Sequence, residues 1–328
     1  MLLSREARDK AIEDAMYENY TAYFRKAEET RRWKLHADIP WQLANPTVSE
    51  DLTKVIEGFF AVEFYLPDYI TRVLELVRRS RGRAWFTAAW GYEESKHSLG
   101  WETWLMSAGK RTQKQLRDYQ EMLMEVELER NFDTPSQMII YQMIQERMTY
   151  INYKNALKLA EVEDDPALVK TAHYIGIDEV AHHAFFLRGV QLYLKYYPER
   201  TMDDILLVFR EFQMPATDII PNWSEVAEAI LRLGINSARI FVKDVRNPIL
   251  DALGFEGKRA LEEAAQAARQ SAPALDWDPY APEIVAKAKP ASQVLREKYG
   301  TPLAPDPVTG EPIITSRRSF TKQVGAEI

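Results

Sequence analysis

Two short runs in this 328-residue chain place a carboxylate and an imidazole at helical spacing. They are Glu94 and His97, within EESKH, and Glu179 and His182, within DEVAHH. A lone glutamate precedes each run at nearly the same distance, Glu63 by 31 residues and Glu146 by 33. Residues three apart share a helix face, so each ExxH pair offers a carboxylate oxygen and an imidazole nitrogen to one point in space. Four carboxylates and two imidazoles facing one interior form the donor set of a di-iron or di-manganese centre in a four-helix bundle. Burying four unpaired carboxylates would cost more than folding can supply, and two divalent cations are the natural compensation.

The elements that must position these groups follow from the same spacing. Midway between Glu63 and Glu94 lies the turn-like Arg79-Ser80-Arg81-Gly82, and midway between Glu146 and Glu179 lies the acidic, proline-containing stretch 161–166. In an antiparallel hairpin, each lone glutamate therefore returns level with its own ExxH, roughly 20–25 Å from the loop at about 1.5 Å per residue. The expected hairpins pair 48–79 with 83–108 and 135–160 with 166–197, joined by a polar helix near 112–130. Apolar residues at helical period surround Glu63, including Val55, Phe59, Val62, Leu66, Ile70 and Val73. Pro67, four residues after Glu63, predicts a kink or break near that glutamate. Thr134-Pro135 predicts a helix start and Pro198 a helix end.

A further helix is expected over about 4–32 and others over about 201–213, 222–235 and 237–252. The fold class is all-α, a ferritin-like four-helix core with additional helices. Residues 1–271 are expected to form one domain, and the proline-rich 272–328 an extended segment. With no cysteine, thiolate ligation and disulfides are excluded. No apolar run approaches the ~18 residues of a membrane span, so a soluble, cytoplasmic protein without membrane insertion is expected. A net charge of −7 argues against nucleic-acid binding.

The motifs resemble those of the soluble acyl-ACP desaturases of the stearoyl-ACP Δ9 type. That family reads EENRHG and DEKRHE where this chain reads EESKHS and DEVAHH. Context agrees too: VEFYLPDY around Glu63, WGYEESKH before His97 and IQERMTYIN around Glu146 are similar to the family's segments, and the likeness runs from about Trp33 to Phe255. The resemblance implies two irons (Fe2+/Fe3+) held by Glu63, Glu94, His97, Glu146, Glu179 and His182. It implies an O2-dependent reaction that puts a cis double bond into a fatty acyl chain on acyl carrier protein. A ferredoxin-type protein would supply two electrons, and the enzyme would be a homodimer.

Around these ligands, Glu93 and Asp178 each precede a ligand glutamate and are placed to accept a hydrogen bond from the outer nitrogen of a ligand histidine across the pseudo-twofold axis. Thr149, one turn past Glu146, matches a family threonine beside the oxygen-binding side, with a core threonine as the alternative. Trp33 and Trp90 match family tryptophans near the site, where they would aid electron transfer, with packing as the alternative. Ile139 and Met143 are candidates for the wall of an acyl channel, with packed core as the alternative, and Arg72, Arg78, Arg79, Arg81 and Arg83 for a basic patch facing an acidic carrier, with a solvated helix end as the alternative. Val180, Ala181 and His183 depart from the family's charged motif. Those departures leave room for a ferritin-like di-iron hydroxylase or N-oxygenase acting on another substrate. Iron storage and a radical-generating subunit are the remaining alternatives.

Overall fold

A computed structural model describes residues 4–129, 132, 134–271, 304–305 and 312–313. Two units make up the protein, 1–282 and 283–328. The described part of the first is helical throughout. In the second, β1 (Ala304–Pro305) pairs antiparallel with β2 (Pro312–Ile313), and the rest of 272–328, including the expected extended segment, lies outside the described residues.

Helix α1 (Arg5–Lys26) starts where Ser4 accepts a hydrogen bond from the Ala7 amide, and it runs into a π-helical turn over Ala27–Arg31. After a short 3-10 turn at Trp41–Leu43, α2 (Glu50–Phe64) begins under the Ser49 cap. The expected kink is a full break. Helix α2 stops at Phe64, and α3 (Leu66–Val77) restarts with Pro67 in its first turn. Proline lacks the N–H that a continuous helix would bond there, so it suits a restart. Glu63 consequently sits in the last turn of α2.

Helix α4 (Arg81–Ser107) returns alongside α2 and α3, and α5 (Gln113–Leu123) opens on a reciprocal capping pair, Thr112 and Gln115. It is shorter than the 112–130 expected. The second hairpin follows the sequence signals closely. Helix α6 (Pro135–Val162) is capped by Thr134 and α7 (Pro166–Tyr196) by Asp165, each with proline in its first turn. Asp164 takes the left-handed conformation in the loop between them (φ 52°), which a short polar side chain tolerates better than most.

Helix α8 (Pro198–Glu211) begins at the proline that ends α7, and α9 (Trp223–Arg232) packs on α2. The helix expected over 237–252 is α10 (Ala238–Ile240), a π-helical stretch Phe241–Arg246 and α11 (Asn247–Ala252) in succession. A last helix, α12 (Lys258–Ser271), packs on α8 and was not anticipated from the sequence.

The core is α2/α3, α4, α6 and α7, with α1 lying across α4 and α7. That crossing is close. A Cβ on Gly82 of α4 would fall 2.5 Å from the Met16 carbonyl of α1, so only glycine lets the two backbones approach. Two apolar clusters fill the bundle. One gathers Met16, Val73, Phe86, Trp90, Met138, Ile139, Phe186 and Val190 at the end nearer the α3–α4 turn. The other gathers Leu52, Phe59, Trp101, Trp104, Tyr153, Ala160 and Leu168 toward the α6–α7 turn.

Candidate metal centre

Between these two apolar ends the bundle turns acidic. Glu63 comes from α2, Glu94 and His97 from α4, Glu146 from α6, and Glu179 and His182 from α7; all six are buried. They fall into two overlapping groups. Glu63, Glu94, His97 and Glu179 offer ligand atoms all within 4.8 Å of one another, and so do Glu94, Glu146, Glu179 and His182. The ExxH glutamates belong to both groups. Each group thus holds one terminal glutamate, one imidazole and two shared carboxylates, which is a cradle for two ions side by side.

Both imidazoles turn Nδ1 inward. His97 Nδ1 lies 2.9 Å from Glu94 Oε2 and 3.3 Å from Glu179 Oε1. His182 Nδ1 lies 3.0 Å from Glu94 Oε1 and 3.3 Å from Glu146 Oε2. Each Nε2 turns outward to an acid of the opposite hairpin: His97 to Asp178 Oδ2 at 3.3 Å, and His182 to Glu93 Oε2 at 2.7 Å. Carboxylates holding the outer nitrogens fix the tautomer that leaves Nδ1 free as a lone-pair donor.

The donor set fits a pair of divalent transition metals. Glu94 Oε1, Glu146 Oε1 and Glu179 Oε1 are fully buried and accept no hydrogen bond among the described residues, although an imidazole Nδ1 sits near two of them. Among the described residues, none of the six is ion-paired to lysine or arginine. Burial, then repulsion from neighbouring carboxylates, pushes the Glu63 and Glu146 carboxyls well above their ordinary range. Burial opposes ionisation of Glu94 as well, but His97 and His182 more than offset it and hold its carboxyl low. The two imidazoles, though penalised by burial, bind protons more tightly than usual because of the surrounding acids. Without metal, protons therefore occupy positions that cations would take. Four oxygens and two nitrogens of this kind suit iron or manganese.

A brace from the N-terminal segment holds the outer acids. Arg31, in the π-helical turn after α1, donates to Glu93 (3.0 Å) and to Asp178. Arg32 and the Tyr23 hydroxyl also donate to Glu93, and Trp33 Nε1 donates to Asp178 at 2.8 Å. Trp33 stacks on Tyr174 (5.6 Å between centroids, 9°), with the Lys96 ammonium 4.3 Å from its ring centre. On the opposite side the Tyr153 hydroxyl donates to Glu63 Oε1. Tyr23, Arg31 and Tyr153 escaped the sequence reading. Tyr153 carried a signal, since it lies two turns after Glu146 on the same face; the reach of Tyr23 and Arg31 across the bundle carried none.

Thr149, Trp90 and His183 take other positions. The Thr149 hydroxyl bonds back to the Gln145 carbonyl (2.9 Å), and the residue lines a cavity of about 400 Å³ with Phe59, Val62, Asn152, Tyr153 and Phe241. Trp90 packs edge-on with Phe186, and its indole N–H has no partner among the described residues, so it lacks the link to Asp178 that Trp33 has. His183 turns away from the cluster and meets the Met143 carbonyl at 2.8 Å, and burial pushes it down to about 4.

Ile139, Met143 and Arg83 are all buried. Ile139 and Met143 are packed core, Ile139 occupying the space that Gly189 leaves open, and the large cavity lies on the other side of Glu146. Arg83 is buried, bonded to Ser80, Tyr193 and Glu13, and contributes nothing to a basic surface. Arg78, Arg79 and Arg81 are exposed on the α3–α4 turn.

The protein belongs to the fatty acid desaturase family, whose pattern it matches over residues 39–276. It is 29% identical over 235 residues to stearoyl-acyl-carrier-protein 9-desaturase 6 of Arabidopsis thaliana, a chloroplast protein. That match spans 63% of this chain and 59% of the relative. The structure resembles that of a putative acyl-ACP desaturase, DesA2 of Mycobacterium tuberculosis H37Rv. The TM-score is 0.59 at 18% identity, covering 79% of this chain and 99% of that one. The all-α, ferritin-like fold follows from this likeness.

Proposed function

We propose that this protein is an O2-dependent desaturase that removes two hydrogens from adjacent carbons of a fatty acyl chain on acyl carrier protein, leaving a cis double bond. Two irons would be its cofactor and a ferredoxin-type protein its electron donor. The observation that carries the reading is the cavity beside the carboxylate–imidazole cluster. It measures about 400 Å³ and is lined largely by apolar side chains such as Phe59, Val62, Met148, Met214 and Ile230. That volume falls within the roughly 300–1,000 Å³ of ligand sites. Its wall includes Tyr153, whose hydroxyl donates to Glu63, so an acyl group lying there would be one side chain from the candidate ligands.

A carbon–hydrogen bond in the middle of an alkyl group has no acidic proton and no leaving group, and a redox-active metal pair reacting with O2 supplies the chemistry that side chains lack. The protein's own residues do the positioning. Glu63, Glu94, His97, Glu146, Glu179 and His182 would hold the ions, with Glu94 and Glu179 shared. Asp178 and Glu93 keep the imidazoles in the ligating tautomer. The apolar ends of the bundle exclude water. Trp33, bonded to Asp178 and through it to His97, offers a route for electrons arriving at the Tyr174 side. Arg239 and Lys243, exposed on the segment that lines the cavity, suit the acidic surface of a carrier protein.

The test is incubation of the iron-loaded protein with acyl carrier protein bearing a saturated acyl group, ferredoxin, its reductase and O2. The acyl product should lose two hydrogens by mass spectrometry. A gain of one oxygen would replace this reading with hydroxylation, and no change in mass would refute it.

A further inference from the structure

The cavity is not uniformly apolar. Asn152 lies in its wall, one turn beyond Thr149, and is 6% exposed. A series of hydrogen bonds fixes how its amide is turned. The Ser237 backbone N–H donates to Asn236 Oδ1 at 2.7 Å, which orients the Asn236 amide and directs its Nδ2 to Asn152 Oδ1 at 2.9 Å. An amide oriented through its oxygen in this way has both hydrogens of its NH2 group still to offer. Asn152 Nδ2 donates to no acceptor among the described residues. Other polar groups in the wall are engaged: Thr149 with the Gln145 carbonyl, Tyr153 with Glu63, and Ser237 Oγ with the Ile240 amide.

A donor on the cavity wall without a side-chain or backbone acceptor is free for a ligand, and a site built with one discriminates for a ligand that supplies the acceptor. We infer that Asn152, held by Asn236, is a specificity station for an acceptor oxygen on the substrate, a carbonyl or a hydroxyl. The inference rests on the acyl-cavity reading and deepens it. Asn152 is six residues past Glu146, about 9 Å along α6 at roughly 1.5 Å per residue. The substrate class is therefore a fatty acyl group with an oxygen function set back from the reacting carbons by about that distance. Two sources share this chemistry: the thioester carbonyl at the head of the acyl group, and a hydroxyl farther along it.

The test measures binding rather than turnover. Decane, decan-2-one and the N-acetylcysteamine thioesters of decanoate and 3-hydroxydecanoate compete with a fluorescent fatty acid for the full-length protein, wild type and Asn152→Leu. Wild type should prefer decan-2-one to decane by about tenfold or more, and Asn152→Leu should reduce that to under about threefold while keeping its affinity for decane. If the thioester carbonyl is the partner, both thioesters weaken equally in the variant. If the hydroxyl is the partner, only the 3-hydroxy ester weakens. Asn152→Asp, which keeps the shape and loses the donor, guards against misfolding and should also lose the preference.

Equal binding of decane and decan-2-one by wild type, or a preference intact in both variants, overturns the inference while leaving the acyl cavity standing. Failure of all four ligands to bind wild type overturns the cavity reading and the inference with it.

Discussion

Arg31 is the cation on which the outer acids depend, and Arg31→Met isolates that role. Its side chain is 7% exposed and lies between Glu93 and Asp178, which are 0% and 2% exposed. Glu93 retains Arg32 and Tyr23 after the substitution. Asp178 retains the Trp33 N–H and His97 but no arginine among the described residues. Removing one partner of a buried ion pair costs about 3–5 kcal/mol, and the surviving contacts place this case near the lower figure, about 3 kcal/mol. At roughly 2 °C per kcal/mol for a protein of this size, Tm of the metal-free protein should fall by about 6 °C.

The triple variant Arg31→Met, Glu93→Gln, Asp178→Asn removes the stranded charges together with their partner. It should recover at least half of the lost Tm, yet bind metal about 10–100-fold more weakly, because the acids that orient the imidazoles are gone. Calorimetry gives the first quantity and titration with Mn2+ the second. An unchanged Tm in the single variant, or a triple variant no more stable than the single, would refute the counter-charge account.

Two further outcomes follow from the centre. Glu146→Ala or His182→Ala should abolish stoichiometric binding of two irons while far-ultraviolet circular dichroism stays largely helical, and full iron content in either variant would contradict the ligand assignment. The stabilisation given by Mn2+ should grow as pH rises from about 6.5 to 8.5. Glu63, Glu146, His97 and His182 all bind protons more tightly folded than unfolded. Their contribution is complete below their unfolded pKa values and is lost as pH rises through the folded ones. Glu93, Glu94 and Asp178 shift the other way: their contribution is complete above their unfolded pKa values, constant across this window, and lost only as pH falls into the acid range. Metal replaces the protons, so the gap in Tm between loaded and metal-free protein should widen across this window, and a constant or narrowing gap counts against the argument.

Most of the four-rod core was legible because its signals are local. Thr134-Pro135 and Asp165-Pro166 announce helix starts by capping chemistry, and equal spacing from each turn brings Glu63 level with Glu94 and Glu146 level with Glu179. What stayed hidden depends on long-range contact. Arg31 meets Asp178 across 147 positions of sequence, and no pattern within either segment encodes the meeting. Arg83 read as surface charge because its neighbours are arginines, whereas Tyr193 and Glu13 draw it inward. Helix α12 was obscured by the nearby proline-rich composition, although LEEAAQAARQ is rich in good helix formers.

The stretch that secures the outer acids, from Tyr23 to Trp33, lies wholly upstream of residue 39, where the family match begins. The sextet of donors thus lies inside the matched span, and the strap that holds its outer acids lies ahead of it. A protein that kept the EESKH and DEVAHH runs but lost this strap would keep all six donors and lose the contacts that hold the acids behind both imidazoles.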